Sequence, residues 1–252
     1  GEVENHDELR FVLSGVGLEG FQLEGGRLRL LGDTLVVRRE YWAALRPDYE
    51  DLPLPRMVFL VFVLPEPLIQ SVKEEIAREG ERLANWQLFG GNDPLRVARR
   101  LTMGVHGMLE KEITFSLPNA VQVLEAGRGD CNEHTVLFVA MARALGLPAR
   151  TAVGLVYLDG GFFYHAGPEV WLGQWGALDP TFGQYPADAA HLRFVIGGLA
   201  QQVEIVRLIG NLDIEVVGVG ADVLRDGPIL DGDARGGEER NEDVGGRPDG
   251  QT

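Results

Sequence analysis

The 252-residue sequence predicts an α+β fold in which a block of helices precedes an antiparallel sheet. Three observations predict it: apolar residues recur at helical spacing between about residues 71 and 145, short β-type runs broken by glycine turns follow from about 151 to 179, and the two patterns are segregated rather than alternating. The charge balance sets further bounds. With 23 Lys and Arg against 38 Asp and Glu, the net charge is −15. That excludes a nucleic-acid footprint, which needs clustered cations. Nothing reaches the roughly 18 apolar residues of a membrane span.

The elements follow in order. From Glu8 to Arg39, the runs "LRFVL", "FQLEGGRLRLLG" and "TLVVRR" alternate apolar and polar residues between Gly pairs and read as a small β meander. "RMVFLVFVLPEPL" reads as a buried strand ended by proline, so the expected domains are a β-rich unit over 1–64, a second domain over 65–225 and a disordered acidic tail over 226–252. Ser71 and Glu74 form a capping-box pattern for a helix to about Leu88, stopped by Gly90 and Gly91. Asp93 and Pro94 then open a helix carrying Leu95, Ala98, Leu101, Val105 and Met108. "NAVQVLEAG" is a short helix, and another runs from Cys131 through Val136, Val139, Ala140 and Ala142 to Leu145, ended by Gly146 and Pro148. "TAVGLVYL", "FFYHA", "EVWL" and "WGALD" are strands, with hairpin turns at 159–161 and 173–174. Leu192–Val219 adds apolar material expected to pack against this sheet.

Cys131 is the only cysteine, so no intramolecular disulfide exists and the thiol is free for packing, ligation or attack. It sits in "AGRGDCNEHTVLF", where an Arg-Gly-Asp triplet runs straight into an apolar helix rather than standing out on a loop. Gly127 and Gly129 allow a sharp turn into that helix, Asp130 suits its N-cap, and Glu133 supports its first turn. A thiol there meets free N–H groups that favour a thiolate and suit an oxyanion. His165 ends an aromatic β run, and Asp179 ends the next strand but one, before Pro180 and Thr181. Cysteine for attack, histidine for proton transfer and aspartate for orientation make a nucleophilic triad. Register tests it. A two-residue turn at Gly173-Gln174 pairs Leu172 with Trp175 and His165 with Phe182, which puts Asp179 on the wrong face. A bulge at Gly167-Pro168 restores it, with His165 then facing Thr181.

"GRGDCNEHTVLFVAMARALGLPAR", "YHAGPEVW" and "LDPTFG", in this order, resemble the three signature segments of the transglutaminase-like superfamily over roughly Leu68 to Ile214. The continuation "ADAAHLRFVIGG" is similar to its bacterial members. The resemblance implies a papain-like core with the nucleophile at a helix N-terminus, packed on an antiparallel sheet. It also implies Cys131 as nucleophile, His165 as general base and acid, and Asp179 as orienting residue, with Gly129, Asp130, Glu133 and Thr181 in support. The activity implied is thioester-mediated amide cleavage or acyl transfer on a peptide or protein, with hydrolysis favoured and no cofactor. One position departs from the pattern: Gly167 stands where the family usually has Trp, which bears on the wall beside His165.

Other readings stand beside these. A fold kept for binding or scaffolding without catalysis is the alternative. Cys131 and His134, one helical turn apart, also form half of a zinc site that His165 and Asp179 would complete, although no metal is expected. His106 and His191 read as ordinary helix and strand residues. Phe162, Phe163, Trp171, Trp175 and Phe182 read mostly as sheet core, and Trp86 or Gln87 as candidates for a second oxyanion donor. "DGDARGGEERNE" mimics a calcium loop but places Arg235 at a ligand position and reads as solvated acidic chain. The sequence leaves oligomeric state open, as it does compartment, exported, periplasmic or cytoplasmic, since a targeting segment can lie outside it.

Overall fold

The computed structural model describes residues 6–47, 49, 51–53, 60–114, 118–198, 203–208 and 210–220. The expected tail over 226–252, with its calcium-like pattern, lies outside the described residues.

At the N-terminus, β1 (Glu8–Ser14), β2 (Leu28–Leu31) and β3 (Thr34–Arg38) are antiparallel but do not form the expected meander: β3 lies between β1 and β2 and pairs with both, because the long segment 15–27 lets β2 pass over a place in the sheet. Residues 60–62, from the apolar run expected as a strand, instead make a 3-10 turn with Val61 exposed, while 54–59 lie outside the described residues. An unbroken apolar run carries no period, so it does not select strand over turn.

The helices follow. α1 (Glu74–Ala84) begins after Lys73 with no side-chain cap, so Ser71 does not form the expected box and its hydroxyl is buried without a partner among the described residues. Asn85, at φ 51°, ends α1 three residues before Leu88 by adopting the left-handed conformation of a C-cap. α2 (Pro94–Met108) starts as read, with Asp93 accepting from the Arg96 amide at 2.6 Å. β4 (Glu110–Lys111) lies before α3 (Ala120–Ala126), and β5 (Arg128–Gly129) pairs with β4 in parallel. Next comes α4 (Cys131–Ala144), in which every residue from Glu133 to Arg143 except Val136 is buried. A helix apolar all round belongs at the centre of a fold.

The second sheet holds β6 (Ala149–Leu158), β7 (Gly161–Trp171), β8 (Trp175–Ala177) and β9 (His191–Ile196), in the order β8-β7-β6-β9. Its β6–β7 hairpin turns on Asp159 and Gly160, both at positive φ as a two-residue turn demands. One apolar cluster joins this sheet to α1–α4 through Ile76, Leu101, Leu137, Phe138 and Val170. Another joins it to the N-terminal sheet through Phe11, Leu35, Val153, Ala166 and Phe194.

The C-terminal apolar stretch divides. Its β9 part joins the second sheet, whereas β10 (Asp213–Gly220) pairs with β1, giving the first sheet the order β10-β1-β3-β2. Ile214 and Val216 face the cluster between the sheets, the half-buried alternation of a strand with one wet face. Because one strand of the N-terminal sheet comes from residue 213 onward, the molecule does not divide at residues 64 and 65. The described residues form one compact unit.

Candidate active site

The turn into α4 is built by three side chains. Asp130 accepts from the Asn132 amide at 2.9 Å, and Glu133 reaches back to the Asp130 amide at 2.9 Å, which completes a capping box. Thr114 donates to Glu133 at 2.6 Å. Gly129 is needed for space rather than for a left-handed turn, because a Cβ there would lie 2.2 Å from the Glu133 Cβ. Gly127 supplies the left-handed residue, at φ +64°. Burial and the neighbouring Glu133 carboxylate push the Asp130 carboxyl up to about 6. Burial also works against the Glu133 carboxylate, but the hydrogen bonds it accepts outweigh that and hold it below its ordinary range. Of the Arg-Gly-Asp triplet, Arg128 is exposed and paired with Glu112, Gly129 is buried, and Asp130 faces the helix start. The triplet is thus spent on presenting Cys131, which is half-buried on the first turn.

His165, on β7, is buried against Cys131. Its Nε2 lies 2.8 Å from Asp179 Oδ2, which leaves Nδ1 for the thiol. Burial disfavours the imidazolium, yet Asp179 and the Cys131 side chain more than compensate, so the His165 pKa stands above its ordinary value. Asp179 is fully buried, and its Oδ1 accepts the backbone amides of Thr181 at 2.7 Å and Phe182 at 2.9 Å. Burial opposes its charge, but its hydrogen bonds to His165 and His191 hold it far below the usual carboxylate range. Thr181 therefore serves through its amide; its hydroxyl is buried without a partner.

The register that brings His165 to Asp179 arises differently from the expectation. β7 pairs with β6 without interruption from Trp171's neighbour Val170 to Gly161, so no bulge occurs at Gly167-Pro168. Instead Trp171 pairs with Trp175 across a three-residue loop containing Gly173 at φ +81°. The extra residue is taken up in the turn, as glycine-bearing hairpin loops allow. At Gly167 an added Cβ would sit 3.1 Å from the Leu178 carbonyl oxygen, next to Asp179. A side chain there would press on the backbone that delivers the aspartate. The aromatic wall beside His165 comes from Phe182, stacked on it with ring centroids 5.2 Å apart and planes 9° off parallel.

Three partners went unread in the sequence. In sequence His191 has the look of an ordinary strand residue, yet its Nε2 lies 2.7 Å from Asp179 Oδ2 and its Nδ1 2.7 Å from Asp188 Oδ1. Tyr164 donates to the Asn132 side chain at 3.0 Å, tying β7 to the first turn of α4. Burial and the nearby Cys131 and Asp130 raise its phenol pKa. His106 lies 3.1 Å from the carbonyls of Pro180 and Thr181, and so braces the segment after Asp179. The Asp-x-x-His spacing of 188 and 191 was the one available signal for the first.

His165, Asp179 and His191 offer ligand atoms within 4.8 Å of one another. Both imidazoles, however, already meet the same carboxylate oxygen at hydrogen-bond distance, and a metal would have to break those bonds. The alternative zinc set of Cys131, His134, His165 and Asp179 does not form among the described residues. His134 turns its Nδ1 to the Asp130 carbonyl at 2.6 Å, one turn back along α4, and its Nε2 is buried without a partner. Gln87 donates its side-chain amide to Asn85 and has its backbone bonded to Asn92, while Trp86 packs with the helical core. No helix among the described residues is long and apolar enough to cross a membrane.

Residues 82–180 match the transglutaminase-like superfamily, a span that includes Cys131, His165 and Asp179. A candidate cysteine protease from Cytophaga hutchinsonii shares the fold at TM-score 0.51 and 14% identity, over 84% of this chain and 82% of its own. The periplasmic domain of TgpA from Pseudomonas aeruginosa aligns at TM-score 0.43 and 16% identity, over 70% of each chain. Red sea bream transglutaminase aligns at TM-score 0.38 and 14% identity, over 71% of this chain and 46% of its own. No curated protein matches the sequence. Residues 82–180 thus match the model of the transglutaminase-like superfamily, and the fold is similar to that of the candidate cysteine protease.

Proposed function

We propose that this protein is a cysteine-dependent amide hydrolase acting on peptides or proteins, with Cys131 as nucleophile, His165 as general base and acid and Asp179 as orienting residue. One observation carries the reading: the thiol at the start of α4 adjoins an imidazole whose far nitrogen is held by a fully buried aspartate. The likeness of fold to a candidate cysteine protease favours hydrolysis.

The steps use groups already in position. His165 takes the thiol proton, and the Cys131 thiolate attacks the amide carbonyl. The tetrahedral oxyanion meets the Cys131 N–H at the positive end of α4. The C–N bond breaks as the imidazolium gives its proton to the leaving amine, which leaves a thioester on Cys131. Water, deprotonated by His165, then releases the acid; a primary amine in its place would give transamidation. Asp179 remains ionised throughout, because its four hydrogen bonds all come from donors.

Product mass after incubation with peptide amides, with and without an added primary amine, tests this. Cys131→Ala is expected to abolish turnover, and His165→Ala to lower both turnover and alkylation of Cys131 by at least about 100-fold. A thiol that alkylates at the same rate in His165→Ala and turns over no amide points instead to a binding module that keeps the fold.

A further inference from the structure

We propose that His191, clamped between Asp179 and Asp188, is a positioning residue of the site: a fixed cation that holds Asp179 against His165 and limits the proton affinity of His165. This rests on the catalytic reading above, but its first step needs only hydrogen-bond accounting. Asp179 accepts two backbone amides on Oδ1 and two imidazoles on Oδ2. Asp188 accepts the Ala190 amide at 2.9 Å and His191 on Oδ1, and the Gln184 side chain at 2.8 Å on Oδ2. Asp179 has no oxygen left on which a proton would not displace a donor. Asp188 keeps one free lone pair, on Oδ2; burial opposes its charge, but the bonds it accepts outweigh that and hold it below the usual carboxylate range. Both are therefore carboxylates, and carboxylates only accept. Since each ring nitrogen of His191 meets one of them at 2.7 Å, both nitrogens carry hydrogen and the ring is an imidazolium.

The consequence for His165 follows from the shared oxygen. Asp179 Oδ2 serves two imidazoles, one of them already charged, and the two rings stand 5.2 Å apart edge to face. A carboxylate whose charge is partly taken up by a standing cation attracts a second proton less. A buried aspartate acting alone would make His165 a strong base that releases its proton to the leaving amine slowly at neutral pH. His191 moderates that, and Asp188 keeps it charged. Further charges face the same region. Arg27 donates to the carbonyls of Asp188 at 2.6 Å and His191 at 2.8 Å, and Arg193 with its partner Glu169 lines the same cavity. Those two pair with each other at 2.9 Å, which leaves Arg27 as the other cation beside the ring.

The test is the pH profile of Cys131 alkylation by iodoacetamide in wild type, His191→Gln and Asp188→Asn, with folding checked by circular dichroism. His191→Gln keeps a donor for Asp179 and removes the cation, so the limb that reports loss of the imidazolium proton should move up by about one pH unit. Asp188→Asn should move it the same way by less, because a neutral His191 then becomes accessible. A residue that only supports the fold would change the height of the profile and leave its limbs in place, and that result overturns the proposal. Nitrogen-15 shifts of the His191 ring in the wild-type protein at pH 7.5 give an answer that needs no variant: two protonated nitrogens are expected, and a single neutral tautomer refutes the cation. Alkylation indifferent to His165→Ala would defeat the catalytic reading instead, whatever the state of the His191 ring.

Discussion

Among single residues, the proposed triad of Cys131, His165 and Asp179 was legible from local context: the start of an apolar helix, an aromatic β run that in the structure continues past His165 to Trp171, and the position ahead of a proline. His191 was not, because a histidine in "HLRFVI" has the profile of any edge residue until Asp188 and Asp179 are seen around it. The same geometry makes stability depend on pH. Burial opposes the charge of His191, but hydrogen bonds to Asp179 and Asp188 outweigh it and push its pKa up to about 9, against about 6.5 in the unfolded chain. The stabilisation is fully present below pH 6.5 and is lost as pH rises through 9. It amounts to something on the order of 3 kcal/mol, counted once for His191 and Asp179 together. On the acid side the sign reverses. Asp179, held low, contributes stability above about pH 4 that is lost as pH falls through its own folded value. Thermal midpoints between pH 2 and 10 should therefore decline on both sides, below about pH 4 and above about pH 6.5, and His191→Gln should lose most of the alkaline decline. Equal alkaline slopes in the two proteins would mean that His191 is not the group responsible.

At the scale of elements, helix boundaries marked by capping chemistry came through the sequence well, as at Asp93-Pro94 and Asp130. The failures have physical causes. Ser71 matched a pattern but lies two residues before the true N-cap Lys73, and the apolar run near residue 60 had no periodicity to specify a backbone. The β7–β8 register came out right for the wrong reason, since an extra residue in the loop and one in the strand shift the pairing equally. Gly129 shows what such local packing controls. In Gly129→Ala the new methyl must displace Glu133, and with it the capping box that aims Cys131. A loss of about 1–3 kcal/mol in urea unfolding is expected, together with slower alkylation of Cys131. Asp130→Ala removes only the cap and should cost about 1 kcal/mol. If Gly129→Ala proved the milder change, the close approach of Glu133 would not be what fixes this turn.

Over the whole molecule, the sequence suggested a β unit standing before the catalytic core, whereas the structure locks the two together. Arg27, just ahead of β2, is buried and donates to the carbonyls of Ala187, Asp188 and His191, the segment that carries the second histidine. Arg193 on β9 returns the grip, donating to Gln22 at 3.0 Å and Glu24 at 2.7 Å. Such pairings across 160 residues or more leave no local trace, and neither does the pairing of β1 with β10. With Phe11 and Phe194 in one apolar cluster, the two sheets should unfold together. Hydrogen exchange tests this directly: the slowest amides of β1 and β9 should share one opening free energy. Arg27→Met leaves three buried carbonyls without their donor and should lower that energy by about 3–5 kcal/mol in both strands at once. Arg27→Lys should recover only part, because an ammonium cannot span three carbonyls with a planar fork. Exchange in β1 that runs ahead of β9 in the wild-type protein would instead mark the N-terminal sheet as a separate folding unit, and the reach of Arg27 toward His191 as incidental to the site.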